Sequence, residues 1–269
     1  MKDALFVPDH DGHLLPTDLT RGPWSPDALH GGPSAALLGA AAEPLLEGMH
    51  PARVTVELLR PVPVAPLVTR AEVIRPGRKV RLVRATLAQA ADGVDVATAT
   101  VLGIRLADVE LPDASSAAKP TIPPPPPSVG RPPSDLNGPA AASDFAAFHS
   151  AGVEHRFVAG DFGALGPATD WIRLRVPVVA GEPTTPLQRV LAAADFGNGI
   201  SGIAEFAELM YINPDLTVYL HRQPVGEWVC LDAISRLETT GVGLAESELW
   251  DEHGRIGRSL QSLLVEPRS

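Results

Sequence analysis

Cysteine is almost absent from this chain of 269 residues, which contains a single one, Cys230. One cysteine cannot form a disulfide within the chain, so no disulfide framework supports the fold. Because Cys230 lies in an apolar, strand-like run, the sequence predicts an unreactive, buried thiol. This cysteine usage is typical of a cytoplasmic protein.

Basic charge and long apolar runs are also scarce. The chain has 22 lysines and arginines against 32 aspartates and glutamates, which gives a net charge of −10. Nucleic-acid binding depends on clustered cations, so this balance argues against a nucleic-acid partner. No segment approaches the ~18 uninterrupted apolar residues of a membrane span, and the first residues lack the apolar core of an export signal. We therefore expect a cytoplasmic protein without a membrane span.

Two similar heptapeptides are the first positive feature of the sequence. Residues 54–60 read VTVELLR, and residues 216–222 read LTVYLHR, 162 positions later. The turns that follow them, ADG at 91–93 and EHG at 252–254, are 161 positions apart. An offset that stays constant over about fifty residues is the mark of an internally duplicated domain.

The first half predicts a hairpin, a helix and an antiparallel meander. Asp11-Gly12 favours a tight turn between strands at 4–8 and 13–17. An Ala- and Leu-rich helix is expected over residues 31–47, after the capping residues of Ser25-Pro26-Asp27. Strand-like runs joined by Pro-Gly and Asp-Gly turns follow at 54–60, 67–75, 80–90 and 95–105. This half, residues 1–107, is the predicted N-terminal domain.

The second half repeats the same plan after a proline-rich linker. Residues 108–150 include five consecutive prolines and predict an extended segment between two domains. A capping box at Thr185–Gln188 starts a helix that is expected to run to about Phe196, with an irregular continuation past Gly197-Asn198-Gly199 to Glu208. The expected strands are 154–158, 171–176, 216–222, 227–236, 243–250 and 255–265. Residues 151–269 are the predicted C-terminal domain.

A helix laid across a curved antiparallel sheet is the hot-dog fold, so the duplication predicts an α+β double hot-dog protein. Six motifs are specific within this pattern: LHGGPSAALL at 29–38, VTVELLRPVP at 54–63, LQRVLAAADFGNGIS at 187–201, INPDLTVYLHR at 212–222, GVGLAESELWDEHG at 241–254 and RSLQSLLVE at 258–266. Together they resemble the double hot-dog acyl-CoA thioesterase family, which includes bacterial acyl-CoA thioesterase II, in its actinobacterial-type branch. The resemblance implies hydrolysis of a fatty acyl-CoA to free acid and CoA, in lipid metabolism and without a cofactor.

Asp195 is the first candidate catalytic residue. It follows Leu187 and Leu191 at steps of four, so its carboxylate continues an apolar helix face. From the residues alone it either ends the helix by bonding nearby amides or is a partly buried base for water. The resemblance favours the base, because the family holds its catalytic water with Asp, Gln and Thr, and the first two fall at Asp195 and Gln261. Asn213 replaces the Thr, and its amide can also orient a water.

Gln261 itself has two interpretations. It shares a strand face with Ser259, Leu263 and Val265, where a lone amide either makes a cross-strand hydrogen bond or serves the site.

The turn His30-Gly31-Gly32 suggests a second hot-dog mechanism. There, a helical carboxylate nine residues after the His acts on the thioester, and a glycine amide at the helix start polarises its carbonyl. The ninth residue after His30 is Gly39, and Glu43 is the only acid nearby. We interpret the turn as structural or as a carbonyl-binding amide, and His30 as a hydrogen-bonding residue at the helix entry rather than a base. One working site per chain is the consequence.

Other chemistries fit less well. No serine lies in a G-x-S-x-G motif, which argues against a nucleophilic serine hydrolase. Asp144 and His149 have the spacing of a hot-dog hydratase pair, but not the residues between them. Asp9, Asp11 and His13 resemble a metal cluster, yet ligands packed around a tight turn are expected to point in different directions, so no metal is expected.

Arg78 and Lys79 lie in the most basic segment of the chain, residues 75–84. They predict either a binding site for the phosphates of coenzyme A or a solvated hairpin face.

Two functions stay open. One is hydrolysis of an acyl-CoA substrate, and the other is non-catalytic binding of an acyl-CoA or fatty-acyl group, which Asn213 in place of Thr favours. A homo-oligomer formed through the exposed backs of the sheet is a further expectation, without a fixed number of subunits.

Overall fold

One continuous antiparallel sheet runs through the molecule. The computed structural model describes residues 4–110, 122–134, 146–205 and 208–268. Its strands are β1 (Phe6–Pro8), β2 (Leu14–Pro16), β3 (Met49–Leu58), β4 (Leu67–Arg75), β5 (Val80–Gln89), β6 (Asp95–Arg105), β7 (Val153–Ala159), β8 (Ala168–Leu174), β9 (Leu209–Ile212), β10 (Asp215–Leu220), β11 (Val229–Leu237), β12 (Val242–Asp251) and β13 (Gly254–Pro267). Their order across the sheet is β1-β2-β4-β5-β6-β3-β10-β13-β12-β11-β8-β7, with β9 paired to β13.

The two repeated heptapeptides pair with each other at the centre of this sheet. β3 and β10 are antiparallel, and Thr55 lies directly opposite Thr217, with 3.3 Å between their hydroxyl oxygens. These two threonines are also equivalent positions of the repeat. An approximate two-fold axis therefore passes between β3 and β10 and relates the two halves of the chain. The predicted double hot-dog fold is confirmed.

The helices α1 (Gly31–Ala42), α2 (Pro186–Ala194) and α3 (Gly197–Ile200) are largely buried. Glycines allow α1 and α2 to approach closely. A Cβ added to Gly32 would lie 2.5 Å from the carbonyl oxygen of Ala192, and one added to Gly39 would lie 2.6 Å from Leu191. The small side chains of α1 therefore make room for the second helix.

Two helix predictions were wrong at their ends. The first helix stops at Ala42, because Pro44 turns residues Glu43–Leu46 into a 3-10 helix. The second helix ends at Ala194, close to the predicted Phe196, but its irregular continuation stops with α3 at Ile200 and does not reach Glu208, because the backbone of Ser201 leaves the helical conformation. Strand β9 was not predicted, and residues 206 and 207 lie outside the described part.

Residues 122–134 of the proline-rich segment lie against the second half. The carbonyl of Pro125 accepts a 2.7 Å hydrogen bond from the Trp171 indole, and Arg131 pairs with Phe157 through two backbone hydrogen bonds. Phe148 is fully buried in the core. Asp144, of the rejected hydratase pair, lies outside the described residues. The domain boundaries at 107 and 151 stay a prediction.

The side chains at the first turn are arranged differently from the expectation. Ligand atoms of Asp9, Asp11 and His13 lie within 4.8 Å of one another rather than pointing apart. Asp9 is the cause, because its carboxylate accepts hydrogen bonds from the backbone amides of Asp11 and His13 and contacts the His13 ring. These hydrogen bonds within the turn account for the close approach of the three side chains.

Cys230 is buried, as predicted, and burial raises the pKa of its thiol, so it stays protonated and unreactive at neutral pH. Among the described residues, no helix combines the length and hydrophobicity needed to span a bilayer.

Asp251 fixes the turn between β12 and β13. Its carboxylate accepts hydrogen bonds from both terminal nitrogens of Arg222, at 2.5 and 2.6 Å. It also accepts hydrogen bonds from the backbone amides of Val225 and His253, both at 2.8 Å. Burial alone would raise the pKa of Asp251, but Arg222 and the two amides together lower it below the ordinary 3.8. The ionised carboxylate therefore contributes to the stability of the fold.

We expect Asp251→Asn to lower the free energy of unfolding at pH 7 by about 1–3 kcal/mol, because Arg222 and one amide lose a charged acceptor. The depressed pKa means that this contribution is present above pH ~4 and is lost as the pH falls through the folded-state value. Denaturant unfolding at pH 7 and pH 3 measures both effects. Asp92→Asn, at the exposed matching turn of the first half, is the control. Equal stability of Asp251→Asn and the parent at pH 7 would contradict this account.

Candidate active site

Asp195 lies where the end of α2 meets the start of α1. It is the C-cap residue of α2, and the crossing of the two helices carries its carboxylate onto the backbone of Gly31. A Cβ added to Gly31 would lie only 2.7 and 2.9 Å from the two carboxylate oxygens. Glycine is therefore required at this position if the carboxylate is to keep its place.

Two side chains donate hydrogen bonds to the buried Asp195 carboxylate, and a third side chain contacts it. Asn213 Nδ2 lies 2.8 Å from Oδ1, and Gln261 Nε2 lies 3.3 Å from the same oxygen. His30 Nδ1 lies 2.8 Å from Oδ2. The three predicted residues thus come together, and His30 joins them from the other half of the chain.

Gln261 connects the end of α2 to the sheet. It is 1% exposed, and its Nε2 also donates to the Asp195 carbonyl at 3.2 Å. Its Oε1 accepts the backbone amide of Asn198 at 3.1 Å. These partners belong to the helix end rather than to a neighbouring strand, so a cross-strand hydrogen bond does not explain this buried amide.

Asn213 uses both hydrogens of its side-chain amide. One is directed to Asp195 and the other to the Asp215 carbonyl, at 3.1 Å. The donors are committed to the protein, and the residue lines the cavity described below. Asn213 can therefore interact with a bound water only by accepting a hydrogen bond through its oxygen.

The N-cap residue of α1 is His30, and not Ser25 or Asp27 as the sequence predicted; its Nδ1 accepts the backbone amide hydrogen of Gly32 at 3.1 Å, so its predicted role in hydrogen bonding at the helix entry is confirmed. The same Nδ1 contacts the Asp195 carboxylate, a contact that was not predicted. The ring packs on Phe196 and Phe148, with centroid distances of 4.7 and 5.2 Å. Its orientation is thus set by aromatic packing as well as by hydrogen bonds.

A cavity of about 330 Å³ opens directly onto this carboxylate. Most of its lining is apolar and includes Trp24, Leu29, Leu58, Val62 and Ile212. The polar lining includes His30, Asn198, Asn213 and Asp195. An apolar pocket with a few convergent polar groups is the usual form of a small-molecule site.

Arg60 also lines the cavity, and sequence reasoning missed it. It is exposed and makes no ion pair with any described residue. Its place at the end of the repeated heptapeptide was the available signal, because its counterpart Arg222 is held by Asp251. Arg78 and Lys79 are exposed at the β4–β5 turn and are not part of the lining. Their role in binding coenzyme A stays a prediction.

The approximate two-fold axis creates a second helix-end pair. The hydroxyl of Thr185, the N-cap of α2, donates to Glu43, the C-cap of α1, at 2.8 Å. Burial raises the pKa of Glu43, and the Thr185 hydroxyl partly offsets this effect. The strand registers make Val101 the counterpart of Gln261, so this pair has no matching amide. The carboxylate with two amide donors is therefore present at Asp195 and has no equivalent at Glu43.

Comparison with known families agrees with the fold. Residues 20–103 match the model of the acyl-CoA thioesterase N-terminal domain, and residues 123–265 match that of the C-terminal domain. The chain belongs to the acyl-CoA thioesterase family. It is a thioester hydrolase by this membership. A search of curated proteins found no match.

Solved structures show the same fold at low sequence identity. An acyl-CoA thioesterase II, TesB2, from Mycobacterium marinum is 18% identical, with 90% of this chain and 91% of that chain covered and a TM-score of 0.62. A tesB protein from Mycobacterium avium is also 18% identical, with 97% and 91% covered and a TM-score of 0.61. A hot-dog protein of unknown function from Alicyclobacillus acidocaldarius is 20% identical, with 100% and 97% covered and a TM-score of 0.67.

We expect Gly31→Ala to displace the Asp195 carboxylate, because the new methyl group would overlap both oxygens. The rate of acyl-CoA hydrolysis, measured as release of free thiol, should fall by about 10²-fold. A misplacement of roughly 1 Å at a reacting group has an effect of this size. Gly163→Ala is the control, since a Cβ there meets nothing within 4 Å. A Gly31→Ala protein that works at the parent rate would show that the contact is not needed.

Proposed function

We propose that this thioesterase hydrolyses a fatty acyl-CoA, or a related acyl thioester, by means of a water activated by the Asp195 carboxylate. The observation that carries the proposal is the buried carboxylate at the wall of an apolar cavity, with two side-chain amide donors on Oδ1 and the His30 ring beside Oδ2. Gln261 and Asn213 hold the carboxylate in place, and the oxygen of Asn213 is available to a water beside it. The products are a free acid and CoA.

The amino end of α1 is the proposed binding site for the thioester carbonyl. Gly31 lines the cavity at this helix start. Backbone amides there carry partial positive charge, which stabilises the negative oxygen of a tetrahedral intermediate. The carbonyl carbon then lies between the helix start and the water beside Asp195. The apolar lining receives the acyl group.

Non-catalytic binding of an acyl-CoA is the second candidate function. Asn213, in place of the family Thr, favours it, because both amide hydrogens are already used within the protein. A panel of straight, branched and aromatic acyl-CoAs separates the two functions. Release of free thiol from any acyl-CoA of the panel supports hydrolysis. Tight binding of the acyl-CoAs without release of thiol from any of them supports the non-catalytic binding function.

Asp195→Asn should lower turnover of the best acyl-CoA by roughly 10²-fold or more, the usual contribution of a positioned base. Size and hydrogen-bonding reach are kept, so the melting temperature should change little. Gln261→Ala should act in the same direction, and the double variant should lose less than the two effects combined. If Asp195→Asn melts lower yet turns over at the parent rate, Asp195 only ends the helix.

Arg60 is the proposed contact for a phosphate of coenzyme A, because it is the exposed cation that lines the cavity. Arg60→Ala should raise KM about 5- to 10-fold with kcat little changed, as expected when about 1–1.4 kcal/mol of ground-state binding is lost. The double variant Arg78→Ala, Lys79→Ala is the matched comparison and tests the basic hairpin predicted from the sequence. A KM effect in that variant alone would move the phosphate site to the hairpin.

A further inference from the structure

Asn198 lines the cavity beside Asp195 and has no part in the chemistry described above. It lies in the short helix α3 and is 5% exposed. The backbone that joins the two residues is helical, with φ and ψ of −74° and −7° at Asp195 and of −79° and −8° at Phe196. Helical residues three positions apart lie on the same face. The side chain of Asn198 is therefore a neighbour of the Asp195 carboxylate, and both line the cavity.

Gln261 holds these two residues in a fixed relation. Its Nε2 donates to the Asp195 carbonyl at 3.2 Å and to the carboxylate at 3.3 Å. Its Oε1 accepts the backbone amide hydrogen of Asn198 at 3.1 Å. Asn198 thus cannot move relative to the carboxylate without the loss of a buried hydrogen bond.

A hydrogen bond to Tyr211 sets the orientation of the Asn198 side chain. Nδ2 lies 3.2 Å from the carbonyl oxygen of Tyr211. A carbonyl oxygen only accepts hydrogen bonds, so the amide nitrogen faces Tyr211 and Oδ1 is the other end of the amide. Oδ1 accepts no hydrogen bond from any described residue, and it is not enclosed by protein. It therefore presents a hydrogen-bond acceptor to the cavity that Asn198 lines.

The attacking water does not need this acceptor. Water has two hydrogens, and in the proposed function one is directed to the Asp195 carboxylate and the other to the side-chain oxygen of Asn213. The thioester group brings no hydrogen-bond donor, because its oxygen and sulfur carry no hydrogen. Oδ1 of Asn198 is thus available to a donor elsewhere in the substrate.

The nearest donor in an acyl-CoA is the first amide N–H of the pantetheine arm. Its nitrogen is four bonds from the thioester carbonyl carbon, through the sulfur and two methylene groups. Neighbouring side chains on a helix face are about 5–6 Å apart at Cβ. This stretch of the arm covers a comparable distance when it is extended. An acceptor one helical turn from the base is therefore within reach of this N–H.

We propose that Asn198 Oδ1 accepts a hydrogen bond from the first amide N–H of the pantetheine arm, and that it thereby selects thioesters of pantetheine over other thioesters. The inference rests on the proposed function and names a part of its substrate. An N–H that enters the cavity loses its hydrogen bonds to water, and a protein acceptor offsets that loss. Because only four bonds join the amide to the carbonyl carbon, the same contact also positions this carbon beside Asp195.

Two small thioesters with the same acyl group test this contact. One is the thioester of N-acetylcysteamine, which has the amide N–H. The other is the thioester of 2-mercaptoethyl acetate, in which an ester oxygen replaces the N–H. The parent kcat/KM, measured as thiol release, should be about 10-fold higher for the amide, since the ester places an acceptor against Oδ1. Hydrolysis of both compounds by hydroxide alone corrects for any difference between the leaving groups.

Asn198→Ala should remove this discrimination. The two small thioesters should then react at nearly equal corrected rates, and kcat/KM for the best acyl-CoA should fall about 10-fold. A disturbed helix alone would lower both rates together and keep their ratio. Ser201→Ala is the matched control, because Ser201 bonds the Gly197 carbonyl at the end of the same helix and does not line the cavity. It should keep the parent ratio even if its stability falls.

The outcomes separate this inference from the function on which it rests. A corrected ratio near one in the parent overturns the contact and leaves the proposed hydrolysis intact. A parent ratio that Asn198→Ala retains shows that another group binds the amide, and it overturns the role of Asn198. If turnover of the small thioesters is too slow to measure, their inhibition of acyl-CoA hydrolysis gives the same ratio, and equal or absent inhibition by the two counts against the contact. If the parent releases no thiol from any acyl-CoA in the panel, the proposed function fails, and the inference fails with it.

Discussion

The close approach of α2 to the start of α1 is the contact on which the rest of the structure depends. Protein interiors are packed tightly, so two helices meet at this distance only where one of them has no side chain. Gly32 and Gly39 provide those places. The crossing that results sets the end of α2 against the start of α1, and with it a carboxylate from one half against a histidine from the other.

A buried carboxylate is costly unless donors surround it, and the site meets this requirement from several directions. Asn213, from the loop before β10, and Gln261, from β13, donate hydrogen bonds to it, and His30, at the N-terminus of α1, contacts it. A second polar pair lies behind them, where His155 contacts Asp170 at 2.5 Å and packs edge-on against Phe196. Phe196 thus contacts both His30 and the buried His155, so the packing around the site extends well beyond the cavity.

Duplication supplied a symmetric scaffold, and the two copies then diverged. Arg60 and Arg222 end the same heptapeptide, yet Arg222 is bound to Asp251 and Arg60 lies at the cavity. The pairs Asp195–His30 and Glu43–Thr185 occupy equivalent helix ends, but only the first is accompanied by side-chain amides. The same backbone therefore produces structural support at one end and a candidate active site at the other.

The sequence alone was sufficient for the architecture. Strand alternation, glycine turns and the capping box at Thr185 are local properties, and a constant repeat offset reports the duplication directly. Strand β4 and β6 boundaries agree with the prediction to the residue, whereas β9 was missed because its formation depends on pairing with β13. For the site, Asp195, Gln261 and Asn213 could be named from their resemblance to a family, which made their convergence an expectation.

Tertiary structure decided what no local pattern contains. His30 and Asp195 are 165 positions apart, and their contact exists only because the helices cross at Gly31 and Gly32. Likewise, the sequence drew attention to the clustered cations Arg78 and Lys79, whereas it is Arg60 that lines the cavity. Local sequence determines which backbone conformations form, but which side chains meet depends on how those elements pack, since contacts between distant residues are set by the whole fold.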